Sequence, residues 1–182
     1  LIIASFLITF NGIFAQIHEE ASLVKPLLIG EIIPDADLLN INGESVNIRE
    51  TMVQKPTVLI FYRGGWCPYC NAQLSSLAKM EEQIIDAGYQ IIAISPEDFK
   101  QFPEIVKKDE VKFQLLSDAD GTFIEKMGIA FYTDKKTKDY LNKKQGGNAS
   151  EILPVASVFV VNTKSEILFE YVNPNYKQRI SG

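Results

Sequence analysis

Two cysteines, Cys67 and Cys70, lie in the segment Trp66-Cys67-Pro68-Tyr69-Cys70, and the chain contains no others. A thiol attacks a disulfide or a peroxide as its thiolate, and the ordinary pKa of about 8.5 leaves only a few per cent ionised at neutral pH. The pair therefore needs surroundings that favour an anion. A helix start provides them, because its free N–H groups and its dipole attract negative charge. Placed there, Cys67 sits at the extreme start and Cys70 one turn in, close enough to form a disulfide with it. The spacing thus supplies an attacking and a resolving thiol. A ring this small stabilises a fold by only about 2 kcal/mol in the loop-entropy account, so a purely structural staple is a weak explanation. Zinc is the competing use of close cysteines, but a structural site takes four protein ligands, and the chain adds only the distant His18.

The neighbours of the pair each carry two readings. Arg63 lowers a thiol pKa by its charge or orients a peroxide, or it is an ordinary solvated arginine at a strand end. Trp66, the only tryptophan, covers one side of the site or simply packs. Pro68 helps set the helix start and Tyr69 offers a contact to a substrate, or each has a structural role only.

The elements that must position these residues follow from the pattern around them. Thr57 to Tyr62 is a continuous β-branched and aromatic run, the signature of a strand buried on both faces. Beyond the cysteines Leu74, Leu77, Ala78, Ile84 and Ile85 share one helical face, which predicts a helix running to Gly88. Gln90 to Ser95 reads as a second buried strand, so the cysteines sit inside a β-α-β unit with a right-handed crossover. Ser95-Pro96-Glu97-Asp98 predicts a further helix start, with Pro103 kinking or restarting it. Lys112 to Ser117 is a third strand candidate, and Thr122 to Met127 a short helix stopped by Gly128. Upstream, residues 19–35 read as an extended lead-in, and Asn42-Gly43 predicts the tight turn of a hairpin between Leu38 and Ile48, followed by a short helical piece at Arg49 to Gln54. Residues 132–152, rich in Lys, Asn and Gly, read as an exposed insertion. Val158 to Asn162 and Ile167 to Tyr171 read as an antiparallel pair.

The 182 residues are 46% hydrophobic with a net charge of −5, which fits one globular domain. No basic run tracks a phosphate backbone, so nucleic acid is not an expected partner. Leu1 to His18 contains no Asp, Glu, Lys or Arg. It reads as a secretory signal, incomplete at its start, with cleavage after Ala15. The domain would then be 16–182, exported to a periplasmic or cell-envelope location, with membrane attachment only if the apolar segment is retained.

Phe61-Tyr62-Arg63-Gly64-Gly65-Trp66-Cys67-Pro68-Tyr69-Cys70 resembles the peroxiredoxin-like branch of the alkyl hydroperoxide reductase/thiol-specific antioxidant (AhpC/TSA) family, within the thioredoxin-like superfamily. Weaker matches follow in order: Ile29-Gly30 to Pro34, Ile94-Ser95-Pro96-Glu97, Leu115-Leu116-Ser117-Asp118 and Val158 to Asn162. The resemblance implies a thioredoxin fold: a central mixed β-sheet flanked by helices, here with an N-terminal β-hairpin. It also exposes departures. Peroxiredoxins carry Pro-x-x-x-Thr-x-x-Cys, and on that alignment Cys70 takes the peroxidatic position while Arg63 replaces the proline and Cys67 the threonine. Their arginine just before the late strand is missing from Leu153 to Ser157. Thioredoxin-like proteins place a cis-proline before that strand; Ala156 falls at that position, and Pro154, two residues earlier, is left open as a substitute. Trp-Cys-Pro-Tyr-Cys also resembles thioredoxin and glutaredoxin segments, in which the first cysteine attacks.

The sequence reading is a thiol-disulfide oxidoreductase that cycles a Cys67, Cys70 dithiol, with thiol-dependent peroxide reduction as the alternative and a redox-inactive binding module as a reading of another class. Cys67 is expected to attack first, being more exposed than Cys70. Sulfur carries the electrons, so no organic or metal cofactor is implied. The partners are a disulfide-bearing protein or a peroxide, and a thiol electron donor. The stretch Asn173 to Arg179 reads as the approach to a last helix that the chain does not reach, which predicts a C-terminal truncation and an apolar patch on the sheet.

Overall fold

The computed structural model describes residues 17–145 and 149–180. The segment read as a signal, 1–15, lies outside them. Among the described residues no helix is long and apolar enough to cross a membrane.

The chain forms β1 (Asp37–Leu39), β2 (Ser45–Asn47), α1 (Ile48–Met52), β3 (Thr57–Phe61), α2 (Pro68–Asp86) and β4 (Gln90–Ser95), then α3 (Phe102–Asp109), β5 (Gln114–Ser117), α4 (Thr122–Lys126), β6 (Ala130–Tyr132), α5 (Lys135–Gln145), β7 (Ile152–Pro154), β8 (Ala156–Val161) and β9 (Ile167–Asn173). Seven strands make one sheet in the order β2-β1-β5-β4-β3-β8-β9, and β6 and β7 pair separately. Strands β3, β4 and β5 are parallel, while β8 and β9 continue antiparallel. The sheet is therefore mixed, as expected. The hairpin is also present: Gly43 takes φ +79°, and Asn40 Oδ1 accepts from the N–H groups of Asn42 and Glu44.

Alternation along the central strands divides the core into two layers. Leu59, Phe61, Ile92, Ile94, Leu116 and Phe159 face α1 and α4, where Met52, Phe123 and Ile124 meet them. Ile60, Tyr62, Ile91, Ala93 and Val158 face the other way, against Cys70, Leu74 and Leu77 of α2 and Phe102 and Ile105 of α3. The cysteine helix is thus anchored by an apolar face of its own, which fixes its first turn over the end of β3.

Two expectations need correction, and one question that the sequence leaves open is answered. Ser95-Pro96 does not open a helix: Ser95 completes β4, and a 3-10 turn begins only at Phe99, capped by Asp98, before α3 starts beside Pro103. Ser95 is fully buried and its register with Ser117 of β5 holds it in the sheet, which overrides its capping propensity. Residues 132–152 are not a bare insertion. They contain α5, which buries Leu141, and return through β7 to pair with β6. Leu153-Pro154 is trans, as are all peptide bonds among the described residues. On the edge strand β9, Leu168 and Phe169 are exposed.

Candidate active site

Strand β3 ends at Phe61, and after six connecting residues the chain enters α2, with Cys67 as the residue before the helix and Pro68 in its first turn. A proline fits there because its missing N–H is one that no helical carbonyl would have used. The connecting loop is held from several sides. Gly65 donates its N–H to Glu97 Oε2 at 2.7 Å, and its carbonyl accepts from Asn71 Nδ2 at 2.7 Å. The N–H of Cys67 donates to the Gly64 carbonyl at 3.1 Å. Gly64 has φ +140°, and a Cβ there would meet the Trp66 ring at 2.4 Å and the Glu97 carboxyl at 2.7 Å. Only glycine lets Trp66 and Glu97 approach the loop this closely.

Both cysteines are buried, Cys67 at 1% and Cys70 at 0% exposure, so the expected difference in exposure is not there. The hydrophobic contacts that anchor α2 draw Cys67, Cys70 and Asn71 beneath the surface, while Pro68 and Tyr69 on the other side of the turn stay exposed. What separates the thiols is access to a groove of about 530 Å³, whose lining includes Cys67 but not Cys70. Their ionisation differs too. Cys67 is lowered to about 6, chiefly because the Cys70 thiol hydrogen-bonds to its sulfur, with help from the Cys70 N–H and from the charges of Arg63 and Arg179, against the opposing effect of burial. Cys70 is pushed up, first by burial and then by its bond and proximity to the Cys67 sulfur. The arrangement is one thiolate held by one thiol.

Arg63 is buried at 8% exposure, which removes the reading of a solvated strand end. Its guanidinium lies between two rings, 4.9 Å from the centroid of Trp66 and 4.6 Å from that of Tyr176. Trp66 also meets Tyr140 of α5 edge-on at 6.4 Å, and Tyr69 meets Tyr176 at 5.7 Å. Trp66, Tyr69, Tyr140 and Tyr176 therefore wall the groove, with Arg63, Asp134 and Lys136 among its polar lining. The sequence reading brought together Arg63, Trp66, Pro68, Tyr69 and both cysteines, and the structure keeps them together.

Four residues near the pair escaped that reading. Tyr140 lay in the supposed insertion, and Asn71 gave no signal. Tyr176 and Arg179 follow β9, where the chain turns back. Asn173 Oδ1 accepts from the Asn175 N–H, and the Gln178 N–H bonds the Asn175 carbonyl at 2.9 Å. That turn delivers Arg179 Nη2 to within 3.4 Å of Cys70 Sγ. The Asn-Pro-Asn run is a turn signal, and it could have marked a reversal instead of an approach to a helix.

Comparison with known proteins agrees with this architecture. The profile of the AhpC/TSA family matches residues 29–169. The peroxiredoxin Bcp of Escherichia coli K12 is 28% identical over 106 residues, covering 58% of this chain and 67% of its own length. Among solved structures, reduced Prx3 of Vibrio vulnificus in complex with H2O2 superposes with a TM-score of 0.71 at 16% identity, over 85% of this chain and 93% of that one. The peroxidoxin BcpB of Mycobacterium tuberculosis gives 0.65 at 18% identity, over 79% and 84%. At these identities the structural matches establish a shared fold.

Proposed function

The chain belongs to the AhpC/TSA family, and from that premise we propose that it is a thiol-dependent peroxidase in which Cys67 attacks a hydroperoxide and Cys70 resolves the product. The observation that carries the reading is the unequal pair. Cys67 borders the groove with its thiolate favoured at neutral pH, while Cys70 sits behind it as the protonated partner.

The Cys67 thiolate attacks the terminal oxygen of the hydroperoxide: an S–O bond forms, the O–O bond breaks, and the products are Cys67–SOH and an alkoxide that takes up a proton to leave as the alcohol. Cys70, as thiolate, then attacks the Cys67 sulfur. An S–S bond forms, hydroxide leaves and is protonated to water, and the two electrons given to the peroxide are those lost by the two thiols. A dithiol donor restores the pair by exchange, itself becoming a disulfide. Arg63 contributes a fixed positive charge beside Cys67 at which negative charge on a peroxide oxygen is stabilised. The names of the relatives weigh toward peroxide reduction over the disulfide exchange that the Trp-Cys-Pro-Tyr-Cys segment favours by itself. A binding module with incidental cysteines has no use for a thiol lowered to about 6.

The test is a paired assay on one preparation: hydroperoxide consumption with a dithiol donor, and reduction of insulin disulfides. The peroxidase reading expects one hydroperoxide consumed per reduced protein in a single turnover, with both free thiols lost. Insulin reduction without hydroperoxide consumption above the donor background would return the assignment to disulfide exchange.

A further inference from the structure

The resolving step has a difficulty built into the site. Cys70 is fully buried, and burial holds its thiol protonated, yet it must become a thiolate to attack the oxidised Cys67. We infer that Arg179 is the catalytic residue of this second step: its guanidinium, carried to the cysteines by the turn after β9, stabilises the Cys70 thiolate that closes the disulfide. This rests on the peroxide-reduction reading.

The geometry is that of a built contact. Arg179 Nη2 donates toward Cys70 Sγ at 3.4 Å across 109 residues of sequence, Nη1 donates to the Gln178 carbonyl at 3.3 Å, and Nε is buried with no hydrogen-bond partner among the described residues. A guanidinium with dehydrated, unused donor capacity beside a sulfur is stabilised when that sulfur becomes an anion. The turn that holds it is ordered by Asn173, whose Nδ2 donates to Gln178 Oε1 at 3.1 Å and to the Tyr171 hydroxyl at 3.0 Å. Tyr176 docks against Tyr69 and Arg63, and Ile180 packs on the core layer that contains Cys70.

The charged and titratable groups facing Cys70 account for why Arg179 is needed. From β3 comes Tyr62, held protonated by burial. From the loop comes Arg63, whose charge is already shared with the Cys67 thiolate and the two rings. From the residue that precedes α2 comes Cys67 itself, which opposes ionisation of Cys70 while it carries negative charge. Glu97 and Asp109 act on Tyr62 and help to hold its hydroxyl protonated. Once Cys67 is oxidised to the sulfenic acid its opposing charge is gone, and Arg179 is then the cation at the Cys70 sulfur. In the first step Arg63 is the larger of the two charges acting on Cys67, with Arg179 the smaller; in the second Arg179 is the one at the sulfur.

Rapid-mixing measurements on Arg179→Gln and Arg179→Lys separate the steps, with dimedone capture for the sulfenic acid and Trp66 fluorescence for disulfide closure. In Arg179→Gln, sulfenic acid should form within about threefold of the wild-type rate, and closure should be at least about tenfold slower at neutral pH, its pH midpoint raised by about one unit. Arg179→Lys, which keeps the charge, should recover most of the loss. Closure at the wild-type rate, equal slowing of both steps, or a lysine variant as slow as the glutamine one would each overturn the inference. A second measurement needs no peroxide. In a Cys67→Ser background, the ultraviolet absorbance of the thiolate should show the Cys70 midpoint rising by about one unit on Arg179→Gln. An unmoved midpoint overturns the role of Arg179, whereas a wild-type protein that forms no sulfenic acid overturns the peroxidase reading alone.

Discussion

Glu97 accepts a 2.7 Å hydrogen bond from the main-chain N–H of Gly65, two residues before Cys67. Burial pushes the Glu97 carboxyl up to about 7, against the lowering effect of that bond, and the charge of Cys67 acts in the same direction as burial. The two acidic groups therefore oppose each other's ionisation across the loop. Glu97→Gln keeps an oxygen that can accept from Gly65 but removes the charge. The Cys67 midpoint, followed by thiolate absorbance, should fall below that of the wild type. Glu97→Ala removes the acceptor as well, and attack on hydroperoxide should slow by about tenfold as the loop loses its position.

The same carboxyl gives stability a pH dependence of definite sign. Its folded pKa of about 7 lies above the unfolded value of about 4.3. The folded protein therefore holds this proton more tightly, and the associated stability, complete below the unfolded value, is lost as pH rises through about 7. Asp118, also raised to about 7 by burial, adds to the trend. Denaturant unfolding should show the wild type losing stability as pH rises from about 4.3 to about 7, with Glu97→Gln giving a shallower decline. A decline of unchanged slope in the variant would count against the assignment.

Arg63 between Trp66 and Tyr176 joins the groove wall to the chemistry. Each cation-ring contact is worth about 1 kcal/mol where partly desolvated. Arg63→Leu should raise the Cys67 midpoint and lower kcat/KM for hydroperoxide at least about tenfold below pH 7, where the thiolate fraction then becomes limiting. Raising the pH should restore part of the rate. A variant equally impaired at all pH values would show that Arg63 does not act through the ionisation of Cys67.

The framework around the pair was legible because its signals were strong and local. β3 and β4 are unbroken apolar strands, α2 carries one apolar face, and Asn42-Gly43 permits one kind of turn. What was hidden depended on distant parts of the chain meeting. Arg63 reads as a solvated strand end until Tyr176, far along the chain, closes over it. α5 carries so many lysines that only Tyr140 and Leu141 distinguish it from a loop; Leu141 is buried only once the chain has folded back, and Tyr140, still exposed, gains its place only as part of the groove wall. Ser95-Pro96 satisfies the rule for a helix start, yet Ser95 is held by the sheet. The exposure of Cys67 was misjudged for the same reason: position in a helix sets which N–H groups are free, and packing sets what water reaches.

Asp118 gives a prediction for stability apart from the chemistry. Its two carboxylate oxygens accept from the N–H groups of Phe123 and Ile124, at 3.2 and 2.8 Å, satisfying donors that α4 leaves free at its start. Asp118→Ala should cost about 1 to 2 kcal/mol and lower Tm by roughly 2 to 8 °C for a domain of this size, with single-turnover peroxide reduction retained at moderate temperature.

The order of attack is the central claim, and the most direct measurement is intact-mass and peptide mass spectrometry of Cys67→Ser and Cys70→Ser after one equivalent of hydroperoxide and dimedone. The account predicts that Cys70→Ser carries the adduct on Cys67 at close to full yield, while Cys67→Ser reacts slowly and carries little. The reverse pattern, with the adduct forming rapidly on Cys70 in Cys67→Ser and none on Cys67 in Cys70→Ser, would contradict it and place the attacking sulfur beneath Arg179.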